Sequence, residues 1–380
     1  MNFLKPEKKF NIKLQSPSKS LWSTIKKAYF LNKNFKSFWE KLDKTNLPEE
    51  LVNYTNIFVN SASYNQVSRF WKHCLINNFN SIANSESAEK QNSIIIADYT
   101  SYTLFNEDNF KELDLQNNIN NEIKINIYKK HKELSTYQSI SYNIVTSLYF
   151  IQIRHLVEKY YKEINKKFYE TFSSNIKIND YDINQHLMYS LIELEKIDKL
   201  LNNKTENLNI LEFGAGYGRT ANILFSLKKN VKYVIVDIPP SFYVSKSQFK
   251  KYHPNLKVSY GFEISDSTSM EKFIQNNDIT YIFPHQLNLL KKDFFDLSIM
   301  SGVTLEMESK DVKNYMKYVD YLSKNLYMKV FKYSGLPFSF YKIYRYNVKK
   351  DYFIPKEWKE NFLDIGIETD FFCHFGYRIK

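Results

Sequence analysis

The stretch Ile210-Leu-Glu-Phe-Gly-Ala-Gly-Tyr-Gly-Arg-Thr-Ala221 decides how this chain of 380 residues is read. An apolar run at Asn209 to Phe213 has the composition of a buried strand, and the segment from Arg219 to Leu227 has the spacing of a helix. Between them stand Gly214, Ala215, Gly216, Tyr217 and Gly218. Three of the chain's 8 glycines therefore fall within five residues. Glycine at such a junction lets the backbone turn tightly and lets a ligand approach the amides that open the helix, where the partial positive charge favours an anionic group. A strand-to-helix turn that merely requires glycine is the bland alternative. Asp237 weighs against it: this acid ends the next apolar run, 19 residues beyond Gly218, where a carboxylate accepts hydrogen bonds from ribose hydroxyls.

The spacing also bears on which nucleotide is bound. A dinucleotide pattern Gly-x-Gly-x-x-Gly needs a third glycine at position 219, which is Arg. Glu212, beside the loop, suits the cationic amino-acid end of S-adenosylmethionine, whereas a carboxylate there repels a pyrophosphate. Both features favour the methyl donor over NAD.

Working outward, the pattern after Asn207 alternates short apolar runs with amphipathic stretches. The expected strands are Asn209 to Phe213, Lys232 to Asp237, Thr280 to Pro284, Phe295 to Met300, Leu326 to Phe331 and a closing strand within Thr369 to Ile379. Lys257 to Gly261 is an uncertain further strand. Asp311 to Leu322 reads as a helix with Val312, Tyr315, Val319 and Leu322 on one face and Ser309 as its cap. Such alternation predicts an α/β fold: a Rossmann-like, mostly parallel seven-stranded sheet with helices on both faces, over residues 206–380.

Residues 49–208 contain neither Gly nor Pro. With apolar periodicity at Ile140, Ile144, Leu148, Ile151 and Leu156, and again at Leu187, Leu191, Leu194, Ile197 and Leu201, the first 205 residues read as a mainly helical region. Residues 81–87 and 115–122 are the expected loops. This region carries no chemical motif. Its expected role is an acceptor-binding cap or a surface for homo-oligomer formation.

Composition bounds the remaining classes. Apolar residues make up 43% of the chain, with 30 Tyr and 30 Phe, which argues for a packed globular protein. The net charge of +12 comes from scattered Lys and only five Arg, and Lys, Asn, Ile, Tyr and Phe share AT-rich codons, so no nucleic-acid partner is expected. Cys74 and Cys373 stand far apart without metal-ligand spacing, so neither a disulfide framework nor a metal is expected. No run approaches the roughly 18 apolar residues of a membrane span, and a cytoplasmic protein is expected.

The first block, together with Lys232-Tyr-Val-Ile-Val-Asp-Ile-Pro-Pro240, Phe283-Pro-His-Gln286, Asp296-Leu-Ser-Ile-Met300 and Leu305-Glu-Met307, resembles the bacterial sugar O-methyltransferases, a branch of the class I S-adenosylmethionine-dependent enzymes. The similarity covers about residues 205 to 330. It implies methyl transfer to the hydroxyl of a sugar or nucleotide sugar, as in surface-polysaccharide pathways. Two other readings are a non-catalytic donor-binding scaffold and an NAD-dependent oxidoreductase acting on a sugar.

Several residues are candidates for the site. Adenine is expected over the tip of the third core strand, with Ile238 below it and Phe283, Pro284, His285 and Gln286 at its edge; if Lys257 to Gly261 were that strand, Asp266 would take the role. Tyr217 would pack on the methionine part of the donor, and Arg219 would meet its carboxylate or else face solvent. A sugar hydroxyl must lose a proton, so a general base is needed, and Glu306, His285 and His186 are the candidates, each with a structural alternative. His374 is ambiguous. Trp39, Trp71 and Trp358 stack on sugar faces or pack in the core.

Overall fold

The computed structural model describes residues 34–84, 150–151, 153–170, 175–331, 333–334, 345–346, 352–364 and 372–379. Twelve strands are present among them: β1 Ile176–Ile178, β2 Tyr181–Ile183, β3 Glu206–Phe213, β4 Lys229–Val236, β5 Val258–Tyr260, β6 Ile279–Ile282, β7 Leu297–Ser301, β8 Asn325–Phe331, β9 Tyr333–Ser334, β10 Arg345–Tyr346, β11 Lys359–Asp364 and β12 Phe372–Arg378. The helices are α1 Phe35–Lys41, α2 Glu49–Asn60, α3 Arg69–Ala83, α4 Lys167–Glu170, α5 Gln185–Leu200, α6 Arg219–Leu227, α7 Pro239–Tyr252, α8 Ser267–Asn276 and α9 Ser309–Leu322.

Eight strands form the main sheet, in the order β11-β12-β8-β7-β3-β4-β6-β5. From β8 to β5 every neighbouring pair is parallel, and β12 alone is reversed, antiparallel to both β8 and β11. The order reverses between β3 and β7, which makes this a doubly wound, Rossmann-like sheet with a crevice at the carboxyl ends of β3 and β7, beside β4. Two apolar layers cover it. One gathers α5, α6 and α7 around Ile210, Tyr233 and Ile235; the other gathers α8 and α9 around Leu211, Phe213 and Val234. Successive residues of one strand thus bury opposite faces, as a sheet covered on both sides requires.

The sheet differs from the expected seven strands by one. Val258–Tyr260 is a true strand, but it pairs only with β6 and forms the outer edge, so β6 lies directly beside β4. Asp266, the alternative adenine residue, caps α8 by accepting the Ser269 backbone N–H at 2.9 Å. On α9, Ser309 is the first helical residue rather than the cap; Glu308 holds the cap position without a side-chain capping hydrogen bond, while Val312, Tyr315, Val319 and Leu322 are buried as expected.

The first half is helical in α1, α2, α3 and α5, but it also contains the hairpin β1-β2, in which Ile176 faces Ile183. Absence of glycine did not exclude turns, because asparagine supplies them. Asn179, Asn202, Asn203, Asn207 and Asn230 all have φ between +50° and +58°. Their short polar side chains tolerate the left-handed region better than other non-glycine residues. Leu187, Leu191, Leu194, Ile197 and Leu201 are buried, and so is Leu156, whereas Ile151 is 69% exposed. Ile140, Ile144, Leu148 and residues 115–122 lie outside the described residues.

Helix α5 packs against α6, β8 and β12, so it belongs to the cover of the sheet although it precedes residue 206. The helices nearer the N-terminus dock at the opposite edge. Tyr54 of α2 packs on Tyr260 and Phe262 (centroids 5.1 and 5.8 Å), Phe58 on Phe283 (5.5 Å), and Glu50 pairs with Lys246 of α7. Among the described residues no helix is long and apolar enough to cross a membrane.

Candidate functional site

The glycine loop stands at the carboxyl end of β3. Gly214, Gly216 and Gly218 have φ of +68°, +57° and +90°. At two of them, space and backbone both demand glycine. A Cβ on Gly214 would meet Val303 Cγ2 at 2.4 Å, and one on Gly218 would meet Phe249 Cε2 at 2.5 Å. The loop is therefore clamped between the exit of β7 and helix α7, and Gly218 caps α6.

Asp237 follows β4 and reaches back to this loop. Its Oδ2 accepts the Gly216 backbone N–H at 2.9 Å and its Oδ1 accepts the Ile238 N–H at 2.8 Å. Burial raises its pKa to about 6, and the two backbone N–H groups hold that rise in check. At neutral pH it is a carboxylate, and the Ser241 side chain is a third hydrogen-bond partner that also holds its pKa down. Ile238 is buried beside it.

Glu212 departs from its expected role. The side chain is 2% exposed and its Oε2 accepts the Tyr233 hydroxyl at 2.8 Å. Burial pushes its pKa up to about 8; the Tyr233 hydrogen bond opposes the rise, and the nearby Glu193 carboxylate adds to it. A group that keeps its proton near neutral pH is neither a ready partner for an ammonium nor a repulsive charge to a pyrophosphate.

Arg219 is turned to the protein. Its Nη2 lies 2.6 Å from Glu193 Oε1 and its Nη1 donates to Ser190 Oγ at 3.1 Å. Glu193, on α5 and fully buried, also accepts Thr220 Oγ1 at 3.0 Å, Ser301 Oγ at 3.0 Å and Lys329 Nζ at 3.3 Å. One carboxylate thus joins α5, the start of α6 and the ends of β7 and β8. Sequence reading missed it because a lone acid in an apolar helix is indistinguishable from one on the solvent face.

His186 opens α5, and its Nδ1 lies 2.5 Å from the hydroxyl of Tyr217, with the two rings stacked at 5.7 Å. Both residues are buried. In this position His186 steadies the glycine loop.

On the other side of Asp237, Pro284, His285 and Gln286 form a short 3-10 turn after β6. Ser63, from the N-terminal helices, accepts the His285 backbone N–H at 2.9 Å and bonds Nδ1 at 2.7 Å. A hydroxyl has one donor and two acceptor sites, so Ser63 can serve both contacts with either tautomer of the ring; burial lowers the His285 pKa. Gln286 faces inward: its Nε2 donates to the carbonyls of Gly261 and Ile264 at 2.7 and 2.9 Å, and its Oε1 accepts the Phe283 N–H. Its amide is engaged with the backbone rather than aimed at a ligand.

Glu306 ends the 3-10 turn Val303–Glu306 that follows β7. Its side chain, and that of His374 on β12, lie outside the described residues. Trp39 and Trp358 are core residues whose indole N–H groups donate to Asn56 and Asp320 at 2.8 and 2.9 Å. Trp71 is half-buried on α3.

No protein-family model matches the chain, and no curated protein matches it. Among solved structures, the PH0226 protein from Pyrococcus horikoshii OT3 is 15% identical with a TM-score of 0.36, over 57% of this chain and 99% of that one. TehB from Haemophilus influenzae is 14% identical with a TM-score of 0.35, over 57% of this chain and 67% of that one. Magnesium protoporphyrin IX methyltransferase from Synechocystis PCC 6803, solved with bound SAM, is 8% identical with a TM-score of 0.34, over 56% and 88%. Likeness at this level carries no argument about activity.

Proposed function

We propose that this chain is an S-adenosylmethionine-dependent O-methyltransferase whose acceptor is the hydroxyl of a sugar or nucleotide sugar. The observation that carries the donor reading is the joint geometry of Asp237 and the glycine loop. A carboxylate stands at the tip of β4 and is hydrogen-bonded to the middle of a loop of left-handed glycines at the tip of β3. A nucleoside lying across that crevice would meet Asp237 with its ribose and Ile238 with its base.

The donor is favoured over a dinucleotide by spacing. Arg219, with its guanidinium held by Glu193 and Ser190, occupies the place of the third glycine in the dinucleotide pattern. When bound, the sulfonium supplies an electrophilic methyl group. The residues around it have to orient an oxygen in line with that methyl, exclude water and receive the hydroxyl proton. Alignment of this kind contributes up to about 7–11 kcal/mol in ideal intramolecular cases.

For the proton we assign Glu306, whose position in the chain follows β7 beside the crevice. His186 and His285 each have Nδ1 in a hydrogen bond with another side chain. The sugar acceptor is supported by the resemblance of the Asp-Ile-Pro-Pro, Phe-Pro-His-Gln and Leu-Glu-Met blocks alone.

A labelled-methyl assay over a panel of nucleotide sugars and surface glycans tests the activity. Calorimetry with S-adenosylhomocysteine and with NAD tests the donor. Tight binding of NAD with none of S-adenosylhomocysteine overturns the reading.

A further inference from the structure

Helix α9 starts beside the crevice. It follows β7 after the turn Val303–Glu306, and Val303 lies against the glycine loop at Gly214. Its inner face, with Val312, Tyr315, Met316, Val319 and Leu322, is buried in the cover of the sheet. On its outer face Lys310, Lys313, Lys317 and Tyr321 recur at intervals of three and four residues, so they form a single stripe. The Lys310 side chain is 65% exposed, Tyr321 is 50% exposed, and Lys313 and Lys317 are exposed as well.

Local electrostatics disfavour this stripe. A cation in the first turn of a helix opposes the partial positive charge there, and Lys313 and Lys317 are like charges four residues apart. The neighbouring acids do little to offset them. Asp311 is turned inward and only 5% exposed, Asp320 accepts the Trp358 indole N–H at 2.9 Å, and Glu308 pairs with Lys310 at 3.3 Å. Among the described residues, Lys313 and Lys317 have no ion pair. An anion laid along the helix would relieve this repulsion.

We propose that the outer face of α9 is a docking stripe for an acidic polysaccharide, whose carboxylate-bearing sugars lie along Lys310, Lys313 and Lys317 while the end of the glycan enters the crevice. This rests on the sugar-acceptor reading above and adds a charge to that acceptor. From Lys310 to Lys317 the stripe rises about 10 Å, at 1.5 Å per residue. Tyr321, further along the same face, offers a ring for stacking on a sugar. A membrane surface fits less well, because an interfacial helix sinks its apolar face into lipid and that face of α9 is buried in the core.

Fluorescence anisotropy on the full chain compares a labelled oligogalacturonate with a neutral malto-oligosaccharide of the same length. Wild type is expected to bind the first and not the second, more weakly as salt rises. Lys313→Gln/Lys317→Gln should weaken the oligogalacturonate at least tenfold. Lys250→Gln/Lys251→Gln removes the same charge from exposed positions on α7 and should weaken it less than twofold. Equal losses in the two variants, no binding by wild type, or tighter binding to phosphatidylserine vesicles or to a DNA duplex overturns the proposal. S-adenosylhomocysteine affinity, read by calorimetry, should be unchanged in both variants, and its loss in the α9 variant would overturn a role confined to docking. Absent docking leaves methyl transfer to a neutral glycan standing; wild type that binds NAD and not S-adenosylhomocysteine overturns the methyl-transfer reading itself.

Discussion

Asp237 Oδ2 accepts the backbone N–H of Gly216 at 2.9 Å, so the tip of β4 holds the glycine loop at its midpoint. Asp237→Ala removes both this tie and the acceptor for ribose hydroxyls, and S-adenosylhomocysteine affinity is expected to fall at least tenfold by calorimetry. The pKa of about 6 adds a pH signature. A carboxylate accepts two hydroxyl hydrogen bonds and a carboxylic acid accepts less well, so wild-type affinity should rise between pH 5 and pH 7.5. Affinity that is flat across that range, or unaffected by the substitution, contradicts the ribose assignment.

Glu212 yields a prediction about stability rather than binding. Its folded pKa of about 8 lies above the ordinary 4.5. The unfolded chain therefore releases this proton first as pH rises. The stabilisation tied to the protonated form is complete below about pH 4.5 and is lost as pH climbs through 8. Glu212→Gln removes the titration while keeping an oxygen for the Tyr233 hydroxyl. The variant's melting temperature should gain on that of wild type between pH 5 and pH 9; a constant gap would show that Glu212 is not buried in its neutral form.

Gly218→Ala places a Cβ at φ +90° and 2.5 Å from the Phe249 ring. The backbone alone costs about 1–3 kcal/mol, and displacement of Phe249 adds to it. A fall of several degrees in melting temperature is expected, with loss of donor affinity because the start of α6 moves. An unchanged melting curve would mean that the loop adopts another conformation.

Phe58 of α2 is fully buried against Phe283. Phe58→Ala should cost about 3–5 kcal/mol, read as a lower urea midpoint, because a cavity opens where the N-terminal helices meet the exit of β6. A cost below 1 kcal/mol would show that this contact is not part of the folded core.

The second half of the fold was legible in the sequence because its signals are local. Buried parallel strands read as apolar runs, and Gly214 and Gly218 sit where a side chain would clash and the backbone is left-handed. The first half was less legible. Asn179 turns a hairpin that glycine would have announced, and β5 was short enough to leave open whether it was a strand at all.

Charge states and partners needed the tertiary structure. Nothing local distinguishes Glu212, a carboxyl beside a glycine loop, from an ionised one; its state follows from burial and from Glu193, 19 residues earlier in the chain. Glu193 carries no local signal; the fold brings Arg219, Ser301 and Lys329 to it. His285 offered a free imidazole until Ser63, 222 residues away, supplied a hydroxyl. The sequence by itself determined the strand-loop-helix and the acid that follows it, since backbone conformation and apolar periodicity act over a few neighbouring residues. Only the tertiary structure decided which side chains are charged, which are occupied and which face the crevice, because desolvation and hydrogen bonding depend on residues that are distant along the chain.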